Sequence, residues 1–303
     1  MALAIDYRPK TLEDVAGNAT VKKSLNALLG RNKKDIPKCF AFFGASGCGK
    51  TTLARIVATR LGCLSNEFYE MNAASVRGID TIRDIERQMR YDAMGGGCRI
   101  WLLDEIHQYP AASQEALLKM FEDCPPHVYF MICTTNPEKL KPALKGRCIT
   151  FEVLPITDDE MFDMLVKIVE AEKADVPDEV IEKIISFAGG SSRNAVQLLE
   201  KVIDLDVADM NAVAMKMDND EAVTKDLITA LVSKKSWSVV AGIIKRITVE
   251  PETIRHGVMG YCTAILLSGK SNAQCALILE EFKGNWYDSG RNGLVSACYN
   301  VCL

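Results

Sequence analysis

Residues 39–51 read CFAFFGASGCGKT, and the chain runs on as TLARIVATRL to residue 61. The apolar run CFAFFG (39–44) predicts a buried strand, and TTLARIVATRL (51–61) predicts a helix. Between them, Gly44, Ala45, Ser46, Gly47, Cys48, Gly49, Lys50 and Thr51 match G-x-x-x-x-G-K-[ST] in full. A strand before that motif and a helix after it are the context that gives it meaning. The glycines let backbone N–H groups turn inward around phosphate oxygens. The helix starting near Lys50 adds its positive end. Lys50 is expected on the β- and γ-phosphates of ATP, and the Thr51 hydroxyl on Mg²⁺, with Thr52 beside them.

Outward from this loop, short apolar runs alternate with helical patterns. RIWLLDE (99–105) and VYFMICTT (128–135) look like buried strands, and SQEALLKMFED (113–123) like a helix. That alternation predicts an α/β fold, a parallel sheet with helices on both faces. Asp104 and Glu105 end the second strand, at the edge where such sheets bind ligands. Asp104 would hold Mg²⁺, and Glu105 would orient the attacking water. The third strand ends in Thr134-Thr135-Asn136. On the residues alone, Asn136 is either a donor to the γ-phosphate or water, or part of a turn before Pro137. Arg147 follows Gly146, and Arg193 sits in the first turn of a helix, where a cation opposes the dipole and calls for an anionic partner. Each has the fork geometry for phosphate oxygens, and each alone also fits a plain surface arginine. His107 reads as structural; Cys48 reads as a tolerated loop residue with a low thiol pKa and sensitivity to alkylation.

The pattern changes after FEVLPIT (151–157). Thr157-Asp-Asp-Glu160 has the form of a capping box and opens a helix to about Ala174; PDEVIEKIISFA (177–188) and SRNAVQLLEKVID (192–204) follow. The polar stretch DLDVADMNAVAMKMDND (204–220) reads as a linker, and 221–303 as helices only. The expected domains are therefore 1–154, a nucleotide-binding domain, 155–206, a small helical domain, and 207–303, a second helical domain.

Composition narrows the classes further. The chain has 303 residues, a net charge of −4, 48% apolar and 25% charged residues. These are values of an ordinary globular protein rather than a disordered, collagenous or coiled-coil one. The mild acidity excludes a protein that coats nucleic acid by bulk charge. No apolar run reaches the ~18–20 residues of a bilayer span, so no membrane association is expected. The start, MALAIDYRPKTLEDV, lacks the pattern of a signal peptide, and eleven cysteines lack any CxxC spacing. Both features predict reduced thiols in the cytoplasm.

Together these elements resemble the clamp-loader ATPases of the AAA+ class. The order is Tyr7-Arg8-Pro9, the phosphate loop, Asp104-Glu105, Thr135-Asn136, Gly146-Arg147-Cys148 and Gly-Ser-Ser-Arg193. The pattern looks most like the bacterial DNA polymerase III gamma/tau type and the small subunits of replication factor C. It covers residues 4 to about 205; beyond 220 the match is only one of length and helical character. The resemblance implies that the 155–206 domain is a lid and the 207–303 domain a collar for oligomerisation. It implies that Tyr7, Arg8, Pro9 and Val15 border the adenine, that Asn136 and Arg193 are the first and second sensors, and that Arg147 is a finger acting on a neighbour's ATP. Family members usually have Ser-Arg-Cys where this chain has Gly146-Arg147-Cys148, so the finger group is kept on a looser hinge. The gamma/tau zinc cysteines are absent, which fits the replication factor C type or a phage version.

The implied partners are other loader subunits in a hetero- or homo-pentameric ring, a sliding clamp, and primer–template DNA. The implied place is the cytoplasm of a bacterium or phage-infected host, at the nucleoid. In GIDTIRDIERQMRYDAM (78–94), Ile79, Ile82, Ile85 and Met89 form one helical face, with Arg83, Arg87 and Arg90 in a stripe beside it. With Arg77, the stripe offers cations to phosphates without reading bases. Asp80, Asp84 and Glu86 are its neighbours, so the residues alone also fit a solvated face; the resemblance favours DNA, because the corresponding helix lines the DNA chamber of clamp loaders. The alternative is another AAA+ DNA motor, such as a branch-migration or replication-restart ATPase.

Overall fold

The run CFAFF is strand β1 (Cys39–Phe43), buried along its whole length. A strand with no polar residue needs cover on both faces, and the rest of the fold supplies it. The computed structural model describes residues 2–72, 79–248, 250–269, 272–284, 286 and 289–303. The chain divides into two units, Met1–Leu205 and Asp206–Leu303.

In the first unit β1 is joined by β2 (Cys63–Met71), β3 (Cys98–Leu103), β4 (Val128–Thr134) and β5 (Ile149–Glu152). The order is β2-β3-β4-β1-β5, with every pairing parallel. Its helices are α1 (Leu3–Asp6), α2 (Ala19–Leu29), α3 (Lys50–Arg60), α4 (Ile79–Gln88), α5 (Ala111–Glu122), α6 (Pro142–Gly146), α7 (Asp158–Glu172), α8 (Asp178–Ala188) and α9 (Ser192–Glu200). Alternate strand residues feed two cores. Phe40, Phe42, Ile100, Leu102 and Met131 pack with Leu25 of α2 and Leu53 and Val57 of α3. Ala41, Trp101, Leu103, Phe130 and Ile132 pack with Ile82 and Ile85 of α4 and Leu117 and Phe121 of α5. The sheet thus carries helices on both faces, as the alternation predicts.

The strand order reverses at β1. The chain leaves β1 for the far edge at β2, returns through β3 to β4, then crosses to β5 on the other side. The loops after β1, β3 and β4 leave the same end of the sheet, and ligands bind at such a switch point. At the end of β5 the chain enters α7 through the predicted capping box: Thr157 Oγ1 accepts from Glu160 N–H at 3.3 Å, and Glu160 Oε2 accepts from Thr157 N–H at 3.0 Å.

The second unit contains α10 (Val207–Val232), α11 (Trp237–Arg246), α12 (Pro251–Leu267), α13 (Ala273–Phe282) and α14 (Gly290–Cys302). Its core includes Leu227, Val240, Val258, Ile278, Phe282 and Leu294. Residues 207–220 are the first half of α10 rather than the expected linker. Asp206 caps the helix, its Oδ1 accepting from Asp209 N–H at 2.9 Å. The interspersed Ala and Met residues of 208–217 are strong helix formers, and the polar residues between them do not make the segment irregular. Among the described residues no helix is long and apolar enough to cross a membrane.

Candidate nucleotide-binding site

The phosphate loop joins β1 to α3, and its glycines do separate work. Gly49 has φ +101° and caps α3, with nothing near the place where a Cβ would stand. Its backbone conformation, not crowding, requires glycine. At Gly47 (φ +76°) a side chain would collide with Ser191 Oγ, and at Gly44 with the Val153 carbonyl. Lys50 is 6% exposed, and its Nζ donates to the Gly44 and Ala45 carbonyls at 2.9 and 2.7 Å. An ammonium is thus held at the mouth of a loop whose N–H groups lie at a helix N-terminus, an arrangement suited to phosphate. Ala45 and Ser46 are exposed on the loop, and Thr52 is half-buried on α3.

Cys48 differs from its expected low pKa. It is buried against the sheet, and burial pushes its thiol above the ordinary value despite the opposing charges of Lys50 and Arg193.

Thr51 Oγ1 donates to Asp104 Oδ2 at 3.2 Å. A hydroxyl in the first turn of α3 and a carboxylate just past the end of β3 form a hard oxygen donor set, which fits Mg²⁺ completed by water and phosphate. Among the described residues no group of three His, Cys, Asp or Glu is placed to hold a metal by protein ligands alone. Glu105 has left-handed backbone (φ +49°), a sparsely populated conformation for a residue with a side chain. Its Oε2 receives Thr135 Oγ1–H at 3.2 Å and Thr135 N–H at 3.4 Å, with His107 Nδ1 at 3.1 Å. Asn136 Nδ2 reaches His107 Nε2 at 3.2 Å and Thr135 Oγ1 at 3.3 Å. His107 is therefore part of the cluster, not the isolated structural residue that the sequence suggests. Burial pushes its pKa below the ordinary value, and the nearby Glu105 carboxylate opposes that.

The α9 side also reaches the loop. Ser191 caps α9, and Ser192 Oγ donates to the Gly47 carbonyl at 3.0 Å. Arg193 follows in the first turn, exposed, and no anionic partner lies within ion-pair distance among the described residues. Arg8 lies in the same positive region: burial, then the Arg55 and Arg193 guanidinia, lower its pKa. Tyr7 OH donates to Glu172 Oε1 at 2.5 Å, which ties the N-terminal segment to α7. Pro9 is half-buried beside them, and Val15 is 9% exposed in the core with its carbonyl held by Lys22 Nζ. The docking of Ser191 and Ser192 on Gly47 was not anticipated from sequence; the Gly189-Gly190-Ser-Ser run before a helix is its only signal.

Arg147 does not join this cluster. It stands between α6 and the start of β5, paired with Glu122 at the end of α5. Both positions are at the N-terminal end of the parallel sheet, whereas the phosphate loop, Asp104 and Asn136 are at its C-terminal end. At about 3.3 Å per residue, even the shortest strand separates the two ends by more than 10 Å.

The α4 cations are exposed, and each has an acidic neighbour. Arg83 pairs with Asp80, Arg87 with Asp84, and Arg90 with Glu86. Ile82, Ile85 and Met89 are buried beside them. Arg77 lies outside the described residues.

Residues 40–155 match the family described as "ATPase family associated with various cellular activities (AAA)". This chain carries an AAA-family ATPase domain. The chain is 32% identical over 219 residues to the DNA polymerase III subunit tau of Bacillus subtilis, across 65% of its own length and 38% of that protein. It is 31% identical over 226 residues to the subunit gamma of Buchnera aphidicola, across 67% of this chain and 60% of that one. The subunit gamma/tau of Mycobacterium tuberculosis is 30% identical over 258 residues, across 76% and 44%. The chain thus spans less than two thirds of the length of these relatives. Among solved structures, the Holliday junction branch migration motor RuvB of Thermotoga maritima shares the AAA fold. Its TM-score is 0.59, with 22% identity over 74% of this chain and 79% of that one.

Proposed function

We propose that this chain is an ATPase motor subunit of a DNA sliding-clamp loader. ATP binding closes neighbouring subunits into a hetero- or homo-pentameric ring that opens the clamp and grips primer–template DNA, and hydrolysis releases the clamp on DNA. The observation that carries this reading is the position of Arg147, one sheet-length from its own phosphate loop. At that distance it serves a nucleotide held by another subunit, and such a finger is worth ~10³-fold or more in rate. Similarity to the gamma and tau subunits supports a clamp loader among machines that use one.

Within one subunit, Lys50 and the loop N–H groups bind the β- and γ-phosphates, and Tyr7, Arg8, Pro9 and Val15 border the base. Thr51 and Asp104 would hold Mg²⁺, which when bound neutralises phosphate charge. Glu105 orients the water through Oε1, the oxygen left without a partner among the described residues. Asn136 and Arg193 sense the terminal phosphate. Arg83, Arg87 and Arg90, with Arg77, contact DNA phosphates; each paired guanidinium exchanges an exposed carboxylate for a phosphate, and such exposed pairs are worth only about 0–1 kcal/mol. The protein works in the cytoplasm of a bacterium or a phage-infected host, at the nucleoid.

The test is ATPase rate with clamp and primer–template DNA, alongside native mass of the assembly. Lys50→Ala should lose tight ATP binding, and Glu105→Gln should bind ATP but turn it over very slowly. Arg147→Ala should bind ATP normally alone and hydrolyse ~10³-fold more slowly when assembled. Mixing it with Glu105→Gln subunits should restore activity at mixed interfaces. Loss of ATP binding by isolated Arg147→Ala would make the arginine a cis group and overturn its role. The second reading is another AAA+ DNA motor, a branch-migration or replication-restart ATPase, and the fold shared with RuvB supports it. A hexamer by native mass would favour that reading, and a pentamer the loader.

A further inference from the structure

The contacts around Glu105 form a closed ring that the proposed chemistry leaves unused. The Asn136 amide has two N–H bonds, and its Nδ2 has two neighbours, His107 Nε2 at 3.2 Å and Thr135 Oγ1 at 3.3 Å. The Glu105 carboxylate oxygen beside Nδ1 only accepts, so the imidazole proton sits on Nδ1 and Nε2 accepts from the amide. Nδ1 lies 2.8 Å from Thr134 Oγ1 and 3.1 Å from Glu105 Oε2. The Thr135 hydroxyl accepts from Asn136 and gives its own proton to the same Oε2. Turning the amide over would set its oxygen against Nε2, an acceptor in this tautomer. Its orientation is therefore set by the network.

Two paths thus run from one amide to one carboxylate oxygen, through an imidazole and through a hydroxyl. His107 is nearly enclosed, with 7% of its side chain exposed. Thr134, which accepts from the imidazole or shares its proton, also accepts the Asn136 backbone N–H at 3.0 Å. The ring is therefore fixed to the end of β4 at two points. It leaves Glu105 Oε1 and Asn136 Oδ1 without partners among the described residues.

We infer that His107 is a positioning residue, which holds Glu105 Oε2 and links it to the Asn136 amide, so that engagement of the amide with a terminal phosphate changes the hold on the carboxylate. This rests on Glu105 being the water-orienting group. The consequence is a division of labour: the imidazole affects turnover, and nucleotide affinity stays with the phosphate loop.

The experiment is steady-state hydrolysis of Mg-ATP by the full chain, assembled with clamp and primer–template DNA, with ATP affinity and thermal midpoint recorded for each variant. His107→Ala should lower kcat about 10- to 100-fold, the range for losing a side chain that orients a functional group, and leave KM within about twofold. His107→Asn can set an amide N–H where Nδ1 lies and should recover most of kcat. His107→Gln sets its amide near the Nε2 place, keeps the neighbour of Asn136, and should stay close to His107→Ala. A merely space-filling role reverses that order, because Gln fills the cavity better, and ties kcat to the thermal midpoint. Asn136→Ala added to His107→Ala should cost less than the product of the two single losses, since the two share the imidazole path; a full product would mean that the two side chains act independently and would overturn the link. His107→Ala turning over within twofold of wild type, with Glu105→Gln inactive, would overturn the relay and leave the motor reading standing. A Glu105→Gln protein at wild-type rate would instead remove the reading on which the relay rests.

Discussion

Replacing Glu67 by Ala should destabilise the nucleotide-binding unit far more than any surface acid would. Glu67 on β2 is buried, and its carboxylate takes Arg99 Nε at 2.5 Å and Arg99 Nη2 at 3.2 Å. Oε1 also accepts from Met94 N–H at 2.8 Å. The same guanidinium donates to the carbonyls of Gln88 and Tyr91, at the end of α4 and just past it. Removing the acid leaves a buried, unpaired cation, which typically costs about 3–5 kcal/mol. For a unit of this size that is a fall of about 6–20 °C in melting temperature. The assay is calorimetry of the full chain, following the transition that Mg-ATP raises, since only the binding unit gains that stabilisation. Glu67→Met with Arg99→Met removes both charges and should recover most of the loss, because an apolar pair is often neutral or better there. The pH dependence has a definite sign. Hydrogen bonding to Arg99 holds the Glu67 carboxyl below the usual range, so its contribution is present above the unfolded pKa and is lost as pH falls through the folded one. The penalty should be level from about pH 5 to 8 and shrink below about pH 4. A cost under about 1 kcal/mol, or a double variant as unstable as the single, would refute the argument.

Gly47→Ala should weaken ATP binding as the phosphate loop or Ser191 gives way, since positive φ alone costs a side chain roughly 1–2 kcal/mol; ATP affinity unchanged by calorimetric titration would contradict this. Glu122→Gln frees Arg147 from an exposed pair worth up to about 1 kcal/mol, so assembled ATPase should change by no more than about fivefold, upward. Replacing Arg83, Arg87 and Arg90 by Ala should lower the slope of log K against log[salt] for DNA by about two to three per subunit, with basal ATPase kept. Full DNA stimulation in that variant would make α4 a solvated face. Because burial raises the Cys48 thiol, a thiol alkylator at pH 7 should modify it far more slowly than an exposed cysteine, as peptide mass mapping would reveal.

What the sequence discloses and what it hides divide along physical lines. The phosphate loop, β1, β3 and β4 are legible because their signals are local: a motif between two patterned elements, and apolar runs needing cover. Strand β2 is not, since it is an edge strand whose Leu64, Ser65 and Asn66 are exposed and whose Glu67 is explained only by Arg99, far along the chain. His107 reads as isolated because two of its partners, Thr134 and Asn136, come from a different strand end. The α4 arginines are visible as a stripe, and so are the acids at three and four residues' distance that pair with them; the choice of partner is a property of rotamers rather than of spacing. The first half of α10 is hidden by its mixed composition, where propensity and an aspartate cap outweigh the look of a linker.

The place of β1 between β4 and β5 has a consequence during synthesis. Its partners on both edges are made long after it: Cys39 pairs with Phe130 and Phe40 with Ile149, about 90 and 110 residues later. At roughly 5–20 residues per second, the ribosome leaves CFAFF without a neighbour on either side for about 5–20 seconds. An uncharged, fully apolar segment with two open edges is a template for pairing with other chains. The strand that makes the switch point is therefore the segment for which a growing chain most needs a chaperone.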